Sequence, residues 1–505
     1  MSNSTDEIRP LDYAASDVPI EPDNSANLKG RTVSGSAWTL GGYIAGNAIR
    51  FITNLLLVRL VTQADFGTAA ALATILQGLN MFSDVGIGPL VVQNPRGTTE
   101  PFLRTAFTLQ VGRGVALVVA GCLLAWPLAW FYNLPELKWL VPIVSSGALF
   151  EGLRSTAFYR LNRNMQFRAL VMLEIAKMVF GSAVMLVWAY LSPGVMALVV
   201  PPVIAIGLEA AVSHLLLPDR RDRFGWFEEA ASEAINFGGW IFLSTALLFF
   251  ANSADKLVFL KLYSAEDVAV YQIAYVLATL PTMALLKVGQ SVVFPAYANV
   301  AQSLDLTQRW ITGEGAERFR NVFLRVRLVL LLGGGFAVTG LLSAGPAMID
   351  ALYPESYAAS RWILQLLAAG VWFQILEVSV GSAMLALGQP RWIALATGSK
   401  VLAMLVLIPI LHLQFGFAGS VTAMAVAEGF RYLASAIAAK RLPVPLRLMR
   451  YDVLLTLGVA AASALAWLAG WSVSSYGPIA AFFAAAVTTV VLWAPVGVWW
   501  KLNRG

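Results

Sequence analysis

The chain has 505 residues, 58% of them hydrophobic and 13% charged, whereas a soluble domain carries roughly 25% charged residues. With a mean hydropathy of +0.69 and apolar runs near the ~20 residues that cross a bilayer, this composition excludes a soluble globular protein. It predicts an all-α polytopic membrane protein. The net charge of +6 fits the Lys and Arg excess of cytoplasmic loops rather than nucleic-acid binding. The single cysteine, Cys122, leaves no disulfide framework and no cysteine metal site.

Residues 1–30 are polar and acidic, with Pro10, Pro19 and Pro22, and read as a disordered cytoplasmic tail rather than a signal peptide. After them the ~20-residue rule predicts about 14 membrane helices. Their spans are 34–60, 66–92, 102–131, 136–159, 167–191, 194–217, 234–262, 266–299, 319–350, 357–387, 391–413, 417–439, 452–473 and 477–499. With the N-terminus in the cytoplasm, the inside loops carry Arg96, Arg104, Arg160, Arg163, Arg168, Arg220, Arg221, Arg223, Arg309, Arg318, Arg320, Arg391, Lys440, Arg441, Arg447, Arg450, Lys501 and Arg504. The outside loops carry little more than Lys138, Lys261 and Arg361. That alternation predicts both termini inside. Residues 218–233 join the two halves, either as an interfacial helix or as a solvated linker.

The segment NLLLVRLVTQADFG (54–67) aligns with KLVFLKLYSAEDVA (256–269), setting Arg59 on Lys261 and Asp65 on Asp267. Both segments end one long helix and begin the next, six helices apart. An even shift keeps the orientation, so the repeat predicts two pseudo-symmetric six-helix lobes about an axis along the membrane normal, with a cavity between them. The expected division is an N-lobe over 31–217, a linker over 218–233, a C-lobe over 234–441, and two additional helices with a short cytoplasmic tail over 442–505.

Five stretches carry a resemblance to a known family. They are SGSAWTLGGYIAGNAIRFITNLLLVRLVTQADFG, FSDVGIGPLVVQ (82–93), ANSADKLVFLKLYSAEDVAVYQIAYVLATLP (251–281), VVFPAYANV (292–300) and AMLALGQPRW (383–392). In order, spacing and topology the chain resembles the Wzx-type polysaccharide flippases of the MATE-like superfamily of multidrug, oligosaccharidyl-lipid and polysaccharide exporters. The resemblance implies a non-enzymatic flippase of 12 plus 2 helices in a bacterial inner membrane. It would carry oligosaccharide on undecaprenyl pyrophosphate to the periplasmic leaflet for lipopolysaccharide, capsule or exopolysaccharide synthesis. It implies no cofactor. The expected partners are the lipid-linked oligosaccharide, membrane lipid and a polysaccharide polymerase or assembly complex. No Walker loop is present, so any energy comes from the membrane potential or an ion gradient, H+ or Na+. A MATE-type cation exporter, with an acidic cavity, and a membrane polysaccharide polymerase or glycosyltransferase, with a large periplasmic loop, are the alternatives.

Charges inside the membrane are costly and mark candidate sites. Arg59 reads as an anchor at the outer surface, echoed by Lys261. Arg50 lies nine residues earlier, about 14 Å along a helix and about half a turn round from Arg59. It shares a polar stripe with Asn47 and Asn54 and is expected near mid-membrane. There it meets either a substrate pyrophosphate or an interior acid. Helix 7 carries Asn252, Asp255 and Lys256, with Asp255 the expected partner of Arg50 in one conformation. Glu151 with Arg154, Glu174 with Lys177, and Glu428 with Arg431 are expected as i, i+3 pairs. Asp84, Arg113, Glu209, Lys287, Glu377 and Lys400 are left unpaired. Of these, Lys287 and Lys400 are candidates for headgroup contact, and Asp84 and Glu377 are gate partners, ion sites or plain tethers between helices. His214 and His412 need no functional role.

Overall fold

A computed structural model describes residues 25–82, 87–88, 91, 96–97, 99–163, 166–216, 222–229, 231–232, 249, 253, 255–304, 310–446 and 448–502. No strand occurs among them, and the chain is an all-α, multi-pass membrane protein. The helices are α1 (Ser25–Leu57), α2 (Gln63–Phe82), α3 (Glu100–Tyr132), α4 (Leu137–Gly152), the short α5 (Ala157–Arg163), α6 (Phe167–Leu191) and α7 (Val195–Leu216). After a helical stretch over 255–262 come α8 (Ala265–Val288), α9 (Phe294–Ala301), α10 (Glu314–Leu352), α11 (Ser360–Ala386), α12 (Pro390–Ala439), α13 (Met449–Ser472) and α14 (Pro478–Leu502). Nine of these, α3, α6, α7, α8 and α10 to α14, are long and apolar enough to cross a membrane among the described residues.

Several expectations about the helices change. Residues 25–30, expected in the tail, open α1. The expected helix over 136–159 stops at Gly152 and resumes as α5. The expected helix over 266–299 is interrupted by a π-helical turn, Gly289–Val293, an insertion that often sits at functional sites. The helices expected over 391–413 and 417–439 run together as α12. They are parted by a sharp bend at Gly416, whose φ of 57° and ψ of −133° suit a residue without a Cβ. Most of the expected seventh helix lies outside the described residues. So do the tail up to residue 24 and residues 217–221 of the region between the halves. Residues 222–227 of the expected linker form no helix. Gly225 and Phe227 bond through their backbone to Thr108 and Thr105, near the start of α3, while Asp222 accepts from Thr156.

Helix contacts fall into two groups. In the first, α1 packs on α6, α6 on α7, α7 on α4, and α4 on α3. Small residues allow the α3–α4 approach: a Cβ on Gly114 would stand 2.7 Å from the Ala148 carbonyl oxygen, and one on Gly121 would meet Ser145. In the second group α8 packs on α11, α11 on α10 and α12, and both α13 and α14 on α10. The principal helix contact between the groups is α2 against α8. Leu402, Leu405, Leu454 and Leu457 are exposed apolar side chains on α12 and α13, as expected of surfaces that face lipid.

The α1–α2 corner and the corner that opens α8 share their local chemistry. Thr62 and Asp65 bond to each other at the start of α2. Ser264 and Asp267 form a full capping box at the start of α8. The sequence repeat pairs these residues at one offset, 264 − 62 = 267 − 65 = 202.

Candidate functional site

The two groups meet closely at the end of the bundle where α1 finishes. A Cβ on Gly67 of α2 would stand 1.8 Å from the carbonyl oxygen of Ala265 in α8, so only glycine fits that crossing. Along α8, Val268, Ala269, Tyr271, Ala274, Leu277 and Ala278 are all buried. Beyond them Leu280, Met283, Ala284 and Lys287, at i, i+3, i+4 and i+7, are exposed. The groups therefore touch at the α1–α2 end, and farther along α2 Gly78 still lies against Phe249, while the far part of α8 presents an exposed face.

On α1, Gly41, Ile44, Ala48, Ile52 and Leu56 form an exposed apolar stripe. Arg50 lies about 200° round from Ala48, on the opposite side of the helix. Its neighbours on that side, Thr53 and Leu57, are buried, and Gly46 packs on Met178 of α6. Arg50 is exposed all the same, on the side of α1 turned away from that apolar stripe. Among the described residues it makes no hydrogen bond or ion pair. Asn54 is half-buried in the same stripe, and Asn47 donates to the Tyr43 carbonyl at 2.8 Å.

The proposed partner of Arg50 is engaged elsewhere. Asp255 is buried and accepts the Tyr271 hydroxyl at 2.5 Å, and Lys256 lies over the Tyr275 ring at 4.2 Å. A different acid faces α1: Glu174 of α6 is exposed and sits at i+3 from Val171, which contacts Gly42 of α1. Glu174 is not paired with Lys177 as expected. Lys177 bonds Glu209 of α7 at 2.9 Å, and Arg154 comes within 4.0 Å of Glu209 rather than pairing with Glu151. Helix 4 ends at Gly152, which takes Arg154 off the face that carries Glu151.

The C-terminal group holds the matching arrangement. Lys400 and Glu428, on the two halves of α12, pair at 2.6 Å with both side chains almost wholly buried. Arg431 reaches Glu377 of α11 at 3.0 Å and Glu428 at 4.0 Å, and Gln374 donates to Glu428. Glu209, Glu377 and Lys400, expected unpaired, are thus members of ion-pair networks inside the lobes. Of those pairs expected at i, i+3, Glu428 with Arg431 is present. Arg113 donates to the Asn80 carbonyl at 2.9 Å, Lys287 is exposed near the π turn, and Asp84 and Asn252 lie outside the described residues.

A further buried network escaped the sequence reading. Arg327 of α10 donates to Asp452 of α13 at 2.9 Å, to the Leu376 carbonyl at 2.7 Å and to Ser379. The Tyr432 hydroxyl also donates to Asp452. Arg327, the second arginine of RVRLVLLL at the start of an apolar run, and an acid opening the next-to-last apolar run were the available signals.

A helical bundle in two groups that meet closely where α1 finishes, with long apolar spans among the described residues, defines a multi-pass membrane protein. The chain belongs to the family described as polysaccharide biosynthesis protein, whose profile matches residues 56–310. It is 23% identical over 382 residues to the lipopolysaccharide biosynthesis protein WzxC of Escherichia coli (strain K12), covering 71% of each chain. It is 24% identical over 361 residues to the teichuronic acid biosynthesis protein TuaB of Bacillus subtilis (strain 168), again 71% of each. Among solved structures, the lipid II flippase MurJ in an inward closed conformation matches with a TM-score of 0.71 at 13% identity, over 94% of this chain and all of that one. An inward-facing MATE family multidrug transporter of the MOP superfamily matches with a TM-score of 0.57 at 13% identity, over 83% of this chain and 95% of that one. These likenesses bear out the resemblance read from the sequence and the fold it implies.

Proposed function

We propose that the protein translocates lipid-linked oligosaccharide repeat units across a bacterial inner membrane, without chemistry on the substrate, by alternating access of two lobes about a central cavity. The lobes follow the division read from the repeat, 31–217 and 234–441, with both termini cytoplasmic by the basic-loop alternation. The family membership and the biosynthetic roles named for WzxC and TuaB support the substrate class. The observation that carries the reading is Arg50: a fixed cation without a hydrogen-bond or ion-pair partner among the described residues, on the side of α1 opposite its exposed apolar stripe. An anionic pyrophosphate would supply that partner through charge-assisted hydrogen bonds. Lys287, on the exposed half of α8, is a second headgroup candidate. The membrane potential or an ion gradient would drive the exchange, and a polymerase or assembly complex would receive the product.

Gene deletion tests this reading. Lipid-linked repeat units should still be assembled and should accumulate on the cytoplasmic face. Normal polysaccharide export with lost resistance to cationic drugs would overturn it in favour of a cation exporter.

A further inference from the structure

The α1–α2 end of the bundle is tied across the lobes by two cations from equivalent positions. Arg59, at the end of α1, donates to the Leu352 carbonyl at 2.8 Å, the last residue of α10. Lys261, which the repeat sets on Arg59, donates to the Phe131 carbonyl near the end of α3 and lies 4.7 Å from the Phe131 ring centroid. Each is the third helix of its own lobe, and each is capped by the first helix of the other. Gln63 adds a bond to the Ser356 carbonyl.

The acceptors explain why cations serve here. The last carbonyls of a helix have no intrahelical donor, and the helix dipole makes that end partly negative. Neither Arg59 nor Lys261 has a carboxylate partner among the described residues. Each therefore spends its charge on the opposite lobe. A cation on a carbonyl can exchange that bond for water when the lobes part, whereas a buried ion pair would leave a bare charge.

We propose that Arg59 and Lys261 form a pseudo-symmetric latch that holds the periplasmic end of the cavity closed through reciprocal caps on the C-termini of α3 and α10. The latch rests on the alternating-access reading. Opening toward the periplasm breaks both caps together, so the two positions contribute in parallel.

Spin labels report the gate without substrate. In a Cys122→Ser background, cysteines replace Tyr190 at the end of α6 and Leu413 beside the α12 bend. Both are highly exposed, at 76% and 85%, and flank the closed end from opposite lobes. The latch predicts that Arg59→Gln with Lys261→Gln shifts the label–label distances in liposomes to longer values, and that each single change shifts part of the distribution. It also predicts that the exchange Arg59→Lys with Lys261→Arg stays closed. Unchanged distances in the double variant, or in both single variants if the double does not fold, overturn the proposal. So does an exchange variant that opens as far as the neutral one. Because this readout is conformational, its failure leaves the translocation reading standing, and failed export assays leave the latch standing.

Discussion

Arg327 of α10 and Asp452 of α13 form an ion pair at 2.9 Å with 4% of each side chain exposed. The pair fastens the thirteenth helix to the C-lobe, and Ser343–Thr489 and Trp493–Thr339 fasten α14 to the same helix α10. Removing one buried partner leaves the other charge uncompensated, a cost of about 3 kcal/mol or more. Asp452→Ala should therefore lower the thermal stability of the purified protein markedly. Arg327→Met with Asp452→Leu should recover part of that loss, because two apolar side chains leave no bare charge. Thermal unfolding followed by size-exclusion chromatography reads both.

Lys400 and Glu428 make the same argument inside the C-lobe, and they separate a structural role from a substrate role. Lys400→Met should reduce the amount of folded protein in the membrane, and adding Glu428→Gln should restore part of it. A Lys400→Met protein with normal abundance and stability but lost export would instead place Lys400 at the headgroup.

Gly67 sets the approach of α2 to α8. Its replacement by valine puts carbon atoms where the Ala265 carbonyl stands, 1.8 Å from a Cβ position. The lobes can relieve that clash by separating at the latched end. Gly67→Val should lengthen the Tyr190–Leu413 label distance even with Arg59 and Lys261 intact. A variant that folds with the distances of the unaltered protein would contradict so tight a crossing.

The helices were legible because lipid demands long apolar runs whatever the tertiary structure. The repeat was legible because equivalent corners need the same cap and cation, as at Thr62 and Ser264, or Arg59 and Lys261. Charge pairing was legible only at Glu428 with Arg431. Spacing along one helix set Glu174 on Lys177 and Glu151 on Arg154, yet Lys177 and Arg154 turn to Glu209 on another helix. A buried charge takes the partner that satisfies it in space, and neighbours on a helix surface contribute only a few tenths of a kcal/mol. Arg59 was read as a surface anchor because its acceptor, a backbone carbonyl 293 residues away, leaves no mark in side-chain spacing. Arg50 lies on the side of α1 opposite its exposed apolar stripe, but its proposed partner Asp255 is bonded to Tyr271.

Arg50 offers the most direct test of translocation around a cationic site. In a deletion strain, Arg50→Ala, Arg50→Lys and the unaltered protein are expressed at equal levels, and lipid-linked repeat units are quantified on each face of the membrane. Loss of a charged hydrogen-bonding partner should reduce transfer to the periplasmic face by about tenfold or more, with Arg50→Lys retaining part of it. Transfer by Arg50→Ala equal to that of the unaltered protein would contradict the account.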